Sequence, residues 1–262
     1  MTTIHPTAIV EDGATLGSNV RIGPFAIVGA DVVLEDGVSL HAHALVTGRT
    51  RIGAGTEIYS FAALGGPPQD VGYRNEPTSL VVGKGCIIRE HVTVHRGTAT
   101  GRKETSIGAN CMLMVASHVA HDCVVGDSVV LVNQATIGGH CEVGEHAILG
   151  GLSAVKQRIR IGAHAFISGI TGVAADVIPF ASAVGARAEL AGLNIVGLKR
   201  RGFDRPTIHA LRAAYQAIFT GEGNRAARVE RIAEEYGDVP AVMTIVDFVR
   251  ASGDRPLVAP RD

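Results

Sequence analysis

Aliphatic residues recur at every sixth position along most of the chain, with polar and small residues between them. From Ile4 the run is Val10, Leu16, Ile22, Val28, Leu34, Leu40, Val46, Ile52, Ile58 and Leu64, and the same phase returns at Val82, Ile88 and Val94. After a break the phase slips by one residue. It then continues from Ile107 through Leu113, Val119, Val125, Leu131, Ile137, Val143, Leu149, Val155, Ile161 and Ile167 to Val173. Two places before the aliphatic stands a small residue, as at Ala26, Ala44, Ser117, Ala135 and Ala147. Directly after it there is often a glycine, as at Gly53, Gly108, Gly126, Gly144 and Gly162. A period of six fits neither the helical repeat nor simple strand alternation. It fits very short strands joined by corners, three hexads (18 residues) to a triangular coil. Each strand then pairs with its copy one coil on, which satisfies the backbone. The glycines after the aliphatics read as corner residues, since glycine tolerates corner backbone angles.

The pattern breaks twice. Residues 65–80 carry three prolines and no aliphatic in phase, and residues 95–105 are polar. Both read as loops thrown out of the coil, where a rigid scaffold often carries function. Past about Val184 the hexads stop. Asp204 suits a helix N-cap with Pro206 in the first turn, and Ile208, Leu211, Tyr215, Ile218 and Phe219 follow at helical spacing. Further helices are predicted over Asn224 to Tyr236 and after Pro240. The expected plan is an all-β solenoid of hexapeptide repeats over residues 1–185 and a C-terminal helical domain over 186–262. Residues 192–203 (GLNIVGLKRRGF) read as a linker with a basic cluster at Lys199, Arg200 and Arg201.

Composition narrows the picture. Of 262 residues 33 are glycine, only 4% are aromatic and none is tryptophan, so the interior must be narrow and filled by small and aliphatic side chains. A formal net charge of −1 argues against bulk electrostatic binding of nucleic acid or of an anionic membrane. The chain opens without a basic, then apolar leader and holds no apolar run of membrane-spanning length, so a cytoplasmic protein without membrane insertion is expected. Cys86, Cys111, Cys123 and Cys141 all occupy the small-residue slot, which points to interior packing rather than disulfides or metal.

Among eleven histidines the cluster that stands out is SHVAHD at Ser117 to Asp122, with GGH at Gly138 to His140. One coil of 18 residues carries His121 to Gly139 and Asp122 to His140. A histidine beside a carboxylate, with a glycine N–H one coil away, suits acyl transfer. His121 would act as base, Asp122 would set its tautomer, and the Gly139 N–H would receive the oxyanion. The His121–Asp122 pairing requires a corner, because consecutive strand residues face opposite ways. Two other readings stay open at this point. His95, His118, His121 and His140 are numerous enough for a catalytic zinc site, and a non-catalytic scaffold would explain the repeat alone.

IHPTAIVEDGA, IGPFAIVG, VTVHRGT, SHVAHDC and GLNIVGLKRRGF together resemble the UDP-N-acetylglucosamine 3-O-acyltransferase family, which opens lipid A synthesis in Gram-negative bacteria; VTVHRGT, AHDC and the KRRGF segment are the specific ones. The resemblance spans almost the whole chain. It implies a left-handed parallel β-helix, a homotrimer with clefts between copies, and no metal or organic cofactor. The donor would be a 3-hydroxyacyl chain on acyl carrier protein, and the acceptor a UDP-amino sugar. His121, Asp122 and Gly139 match the base, its partner and the oxyanion donor. Gln69, Asp70, His95, His118, His140 and Gln157 match positions around the sugar and acyl chain. Gly169 matches the position that measures acyl length, and Asn194, Arg200 and Arg201 match positions that hold nucleotide or phosphopantetheine. Gly72, Lys156 and Val196 depart from the family pattern near the acceptor, which leaves a 3-hydroxyl or a 3-amino sugar open. Arg96, Arg102, Lys103, Arg158 and Arg160 would receive the acidic carrier protein.

Overall fold

The computed structural model describes residues 1–261. Three sheets of eleven, nine and eight described strands form the sides of a triangular prism. The first face holds strands such as Met112–Leu113 and Val130–Leu131, the second His118–Val119 and Thr136–Ile137, and the third Val124–Val125 and Glu142–Val143. Strands within a face pair in parallel, His118 with Thr136 and Thr136 with Ala154, which is the 18-residue coil. The coils wind left-handed, against the usual hand of parallel crossovers.

The hexad aliphatics point inward. Leu34, Ile52, Leu64, Leu113, Val119 and Ile137 are fully buried. Ile4 is 47% exposed because no coil lies beneath the first one. All four cysteines are buried and free, in the small slot of the interior.

The corners differ from the expectation about glycine. A left-handed backbone recurs every sixth residue, at Asn110, Ala116, Asp122, Ser128, Gln134 and His140, with φ between 56° and 61°. Those positions lie two residues after the glycine slot, and side chains fill them. Gly53, Gly108, Gly126, Gly144 and Gly162 are not left-handed. They are required by close approach: a Cβ on Gly144 would lie 2.4 Å from the Ala163 nitrogen, and one on Gly162 2.2 Å from that of Pro179. The next coil's backbone leaves no room for it.

The two loops explain the phases. Across the first, Ala63 pairs with Thr93, thirty residues on, so two whole hexads leave the coil and the phase survives. Across the second, Thr93 pairs with His118, twenty-five residues on, a hexad and one residue more than a coil. That single residue is the slip in the aliphatic run. Arg96 stitches the loops together, donating from Nε to the Tyr73 hydroxyl at 2.9 Å.

After the strand Ala181–Val184 an antiparallel strand, Glu189–Leu193, turns back along the first face. Four helices follow: α1 Ile195–Arg200, α2 Arg205–Phe219, α3 Arg225–Glu235 and α4 Pro240–Ser252. Asp204 caps α2 through the Thr207 N–H, and Asn224 caps α3 through that of Ala227. The segment read as a linker is in fact α1, capped by Asn194, whose side chain accepts from the Gly197 N–H. Ile208, Leu211 and Ile218 of α2, Val229 and Ile232 of α3, and Ile245 and Val246 of α4 are buried together at the end of the prism.

Candidate active site

The corner between the second and third faces brings the histidine cluster together. His121 ends the strand side of the corner and Asp122 turns it, with φ 59°. That turn lets neighbouring residues face each other: His121 Nδ1 lies 2.8 Å from Asp122 Oδ2. The Asp122 carboxylate is fully buried under the second loop. It accepts from the Thr98 hydroxyl at 2.6 Å and from the Thr98 N–H at 3.1 Å to each oxygen. Burial pushes its pKa up, but the hydrogen bonds from Thr98 and His121 outweigh that and hold the carboxyl below its ordinary value. Asp122 therefore stays an anion beside the ring.

Gly139 lies against the His121 ring as the coil offset requires. A Cβ there would be 2.6 Å from His121 Cε1 and 2.7 Å from Nε2. The residue after it continues the ladder, His140 N–H donating to the His121 carbonyl at 2.9 Å. Among the described residues no acceptor takes the Gly139 N–H. His140 meets His121 edge to face, with ring centroids 5.0 Å apart, and its Nδ1 stands 3.8 Å from Asp122 Oδ2. Gln157 is exposed one coil further along the same corner, where the Arg158 N–H donates to the Gly139 carbonyl.

His118 and His95 lie beside this corner on the outer side of the second face. His118 Nδ1 is 2.7 Å from the Thr93 hydroxyl, and the His95 ring packs on it edge to face at 4.9 Å. Burial, with the neighbouring histidines adding, lowers the His95 pKa to about 4. Burial lowers His118 and His140 as well. These rings stay neutral near pH 7, so they offer hydrogen bonds rather than charge. Gln69 and Asp70 are exposed on the first loop, and the Asp70 charge reaches His140. Asp70 Oδ1 also accepts the Gly72 N–H at 2.6 Å. Lys156 is exposed on the second face, and Val196 is 62% exposed on α1.

Four expected site residues lie elsewhere on the chain. Gly169 is exposed at the corner between the first and second faces, beside Ile170. Asn194, Arg200 and Arg201 line a 560 Å³ cleft over the first face with Ile148 and Phe166. Both polar groups of the Asn194 side chain are engaged, Oδ1 with Gly197 and Nδ2 with the His164 carbonyl at 3.0 Å. Arg201 donates to the His146 carbonyl at 2.8 Å, and its other terminal nitrogen is buried without a partner. Of the basic residues expected to meet a carrier protein, three are committed within the chain. Arg96 holds Tyr73, Arg102 pairs with Glu142, and Arg160 lies over the Phe248 ring. Lys103 and Arg158 are exposed.

One nitrogen of His121, one of His140 and a carboxylate oxygen of Asp122 lie within 4.8 Å of one another. The closest pair is only 2.8 Å apart. Two ligands on one tetrahedral zinc stand roughly 3.3 Å apart, given bonds of ~2.0 Å. The spacing is that of a hydrogen bond, and Asp122 already spends its oxygens on Thr98. Sequence reasoning missed Thr98, which the second loop carries to Asp122, and the buried His164, against which Phe203 packs from beyond the hexads.

A family model described as "Udp N-acetylglucosamine O-acyltransferase; Domain 2" matches residues 176–258, and one for six bacterial transferase hexapeptide repeats matches residues 13–48 and 104–139. A protein of Azorhizobium caulinodans named acyl-(acyl-carrier-protein)–UDP-N-acetylglucosamine O-acyltransferase is 60% identical, over 98% of this chain and 95% of its own. A protein of Caulobacter vibrioides with the same name is 55% identical over 98% of both. The solved LpxA of Acinetobacter baumannii superposes with a TM-score of 0.94 at 37% identity, covering 98% of this chain and 99% of that one. With repeat, helical tail and relatives in agreement from end to end, the chain belongs to the UDP-N-acetylglucosamine O-acyltransferase family.

Proposed function

We propose that the protein transfers an (R)-3-hydroxyacyl group from acyl carrier protein to the 3-position of UDP-N-acetylglucosamine, or of its 3-amino analogue, as the first step of lipid A synthesis. The observation that carries the mechanism is the His121–Asp122 pair with the unpaired Gly139 N–H beside it. With Nδ1–H donated to Asp122, the lone pair of His121 Nε2 is free for the acceptor. It takes the proton as the sugar oxygen or amine attacks the thioester carbonyl. The Gly139 N–H holds the oxyanion that forms. Collapse breaks the carbon–sulfur bond, and the protonated His121 returns its proton to the departing thiolate. The thioester supplies the activation, so the reaction needs no metal and no organic cofactor.

The same reading makes the working unit a homotrimer. Within one chain, His121 stands at the edge between the second and third faces, while the cleft of Asn194, Arg200 and Arg201 lies over the first face. A second copy against the histidine face would bring its own cleft to the nucleotide and phosphopantetheine. Its Gly169 corner would receive the acyl chain. Leu152 and Ile170, 57% and 71% exposed at that corner, suit burial between copies. A closed ring of three prisms satisfies every copy alike. Among the described residues no helix is long and apolar enough to cross a membrane, in keeping with work on a cytoplasmic carrier and a nucleotide sugar. Gly72, Lys156 and Val196 set the acceptor side, where the choice of hydroxyl or amine is made.

The test is a transfer assay with 3-hydroxyacyl carrier protein, offering UDP-N-acetylglucosamine and its 3-amino analogue separately. Turnover of one acceptor is expected, and His121→Ala should lower it by roughly 10²–10⁴. A folded, oligomeric protein that turns over neither acceptor would sink the proposal.

A further inference from the structure

Asp122 has two histidine nitrogens within reach, and the reaction can use only one of them. His121 Nδ1 is at 2.8 Å and His140 Nδ1 at 3.8 Å from the same oxygen, Oδ2. A carboxylate free to rock about its own bond would share itself between the rings. Rocking toward His140 would release His121 to either tautomer, and in the Nε2–H form the free lone pair faces away from the acceptor.

What stops that motion comes from the second loop. Thr98 reaches Asp122 across twenty-four residues of sequence and is itself buried. Its hydroxyl donates to Oδ2 at 2.6 Å, and its N–H spans both oxygens at 3.1 Å. The loop is tied at the same residue, since the N–H groups of Gly101 and Lys103 both donate to the Thr98 carbonyl at 3.2 Å. Thr105 holds the other side, accepting the Asp122 N–H at 2.8 Å. Gly101 closes the lid on the carboxylate: a Cβ there would lie 2.4 Å from Asp122 Cγ, so only glycine lets the loop settle this deeply.

We propose that Thr98 is a positioning residue, whose hydroxyl and N–H pin the Asp122 carboxylate onto His121 and away from His140. The proposal rests on His121 being the base of the reaction above. Thr98 is buried against Asp122, so it acts on turnover and not on acceptor binding. It also gives the second loop a function that the hexad pattern could not assign. The loop is the second wall of the dyad, placed over it by the extra seven residues in the register between Thr93 and His118.

The experiment compares Thr98→Val, which keeps the shape and the N–H but removes the hydroxyl, with Thr98→Ser, which restores it. Two quantities are read in each: kcat against acceptor KM, and the tautomer of His121 from its ring 15N shifts. In Thr98→Val kcat should fall about tenfold with acceptor KM unchanged, and His121 should pass from one tautomer to a mixture. Thr98→Ser should return both to the wild-type values. A Thr98→Val protein with wild-type kcat and a single His121 tautomer would overturn the proposal. So would a Thr98→Ser protein as impaired as Thr98→Val, since packing of the methyl group would then be the cause. Should Thr98→Val fail to fold, Thr98→Cys, a weaker donor of similar size, is read in the same way. The tautomer measurement needs no turnover. A protein inactive on both acceptors whose tautomer still responds to Thr98 would keep the pinning and discard the acyl-transfer reading.

Discussion

At the corner between the second and third faces, His121 and His140 meet edge to face over a buried carboxylate. At the corner between the third and first faces, His146 and His164 lie nearly parallel, 4.9 Å apart and 22° inclined, and continue into a stack with Phe180. The repeat places all four on the same scaffold. The partners differ: Asp122, Thr98 and a free N–H at one corner, aromatic faces and the Arg201 guanidinium at the other. His164 is buried and its Nδ1 has no partner, so the ring serves as a flat apolar plate in the wall of a 580 Å³ cleft. The repeat thus sets where these histidines stand, and the neighbours set what each meets: a buried carboxylate at His121, aromatic rings at His164.

The comparison breaks first at Asp122. Asp122→Asn removes the anion and sets an amide N–H against donors from Thr98 and His121, so kcat should fall roughly a hundredfold or more. Retention of more than half the activity would show that the carboxylate does not distinguish the two corners. Gly139→Ala is the next largest. Its new methyl would lie 2.6 Å from His121 Cε1 and must displace the ring. Gly139 is not left-handed, so the coil should still form, and about a tenfold loss in kcat is expected with the melting temperature nearly unchanged. An active Gly139→Ala enzyme would mean that the ring does not work from the position it holds here.

The neighbours at the His121 corner were largely legible in the residues and those at the His164 corner were not, for a reason that lies in the register. His121, Asp122, Gly139 and His140 sit in uninterrupted hexads, where a fixed offset of 18 converts sequence into neighbours, as the pairing of His118 with Thr136 confirms. The coil itself follows from the aliphatic period, whose members are buried except where the first coil has nothing beneath it. The reason first given for the glycines was wrong, because a period alone does not separate a corner from a close approach of backbones. Thr98 escaped notice since a loop of irregular length carries it to Asp122. His164 escaped because Phe203 and Arg201, which close over it, come after the hexads end. The short helix α1 was hidden by Gly197 in its middle. Its signal was Asn194 at the cap, and the glycine is there because a Cβ would lie 2.4 Å from the Asn194 side chain.

The smallest expected effect sharpens the contrast most. His164→Phe should be tolerated, because Phe180, Phe25 and Phe61 already occupy corners of the same kind, with φ between 58° and 65° against 59° for His164. It should leave kcat within about twofold if that corner takes no part in the chemistry. Its effect should appear in stability against pH. Burial, with the Arg201 and His146 charges adding, lowers the His164 pKa to about 4, while the unfolded chain titrates near ~6.5. Between those values the unfolded state binds the proton and the folded state does not, so acidification through this window destabilises the fold. His164→Phe deletes that contribution. Its melting temperature should fall less than that of the wild type between pH 7 and pH 5, by roughly a few degrees, although His95, also held near pKa 4, keeps the slope from vanishing. An unchanged slope would mean that His164 is protonated within the fold and does not serve as a neutral plate. A large loss of kcat would mean that the third-to-first corner shares in the reaction, and the division between the two corners would have to be redrawn.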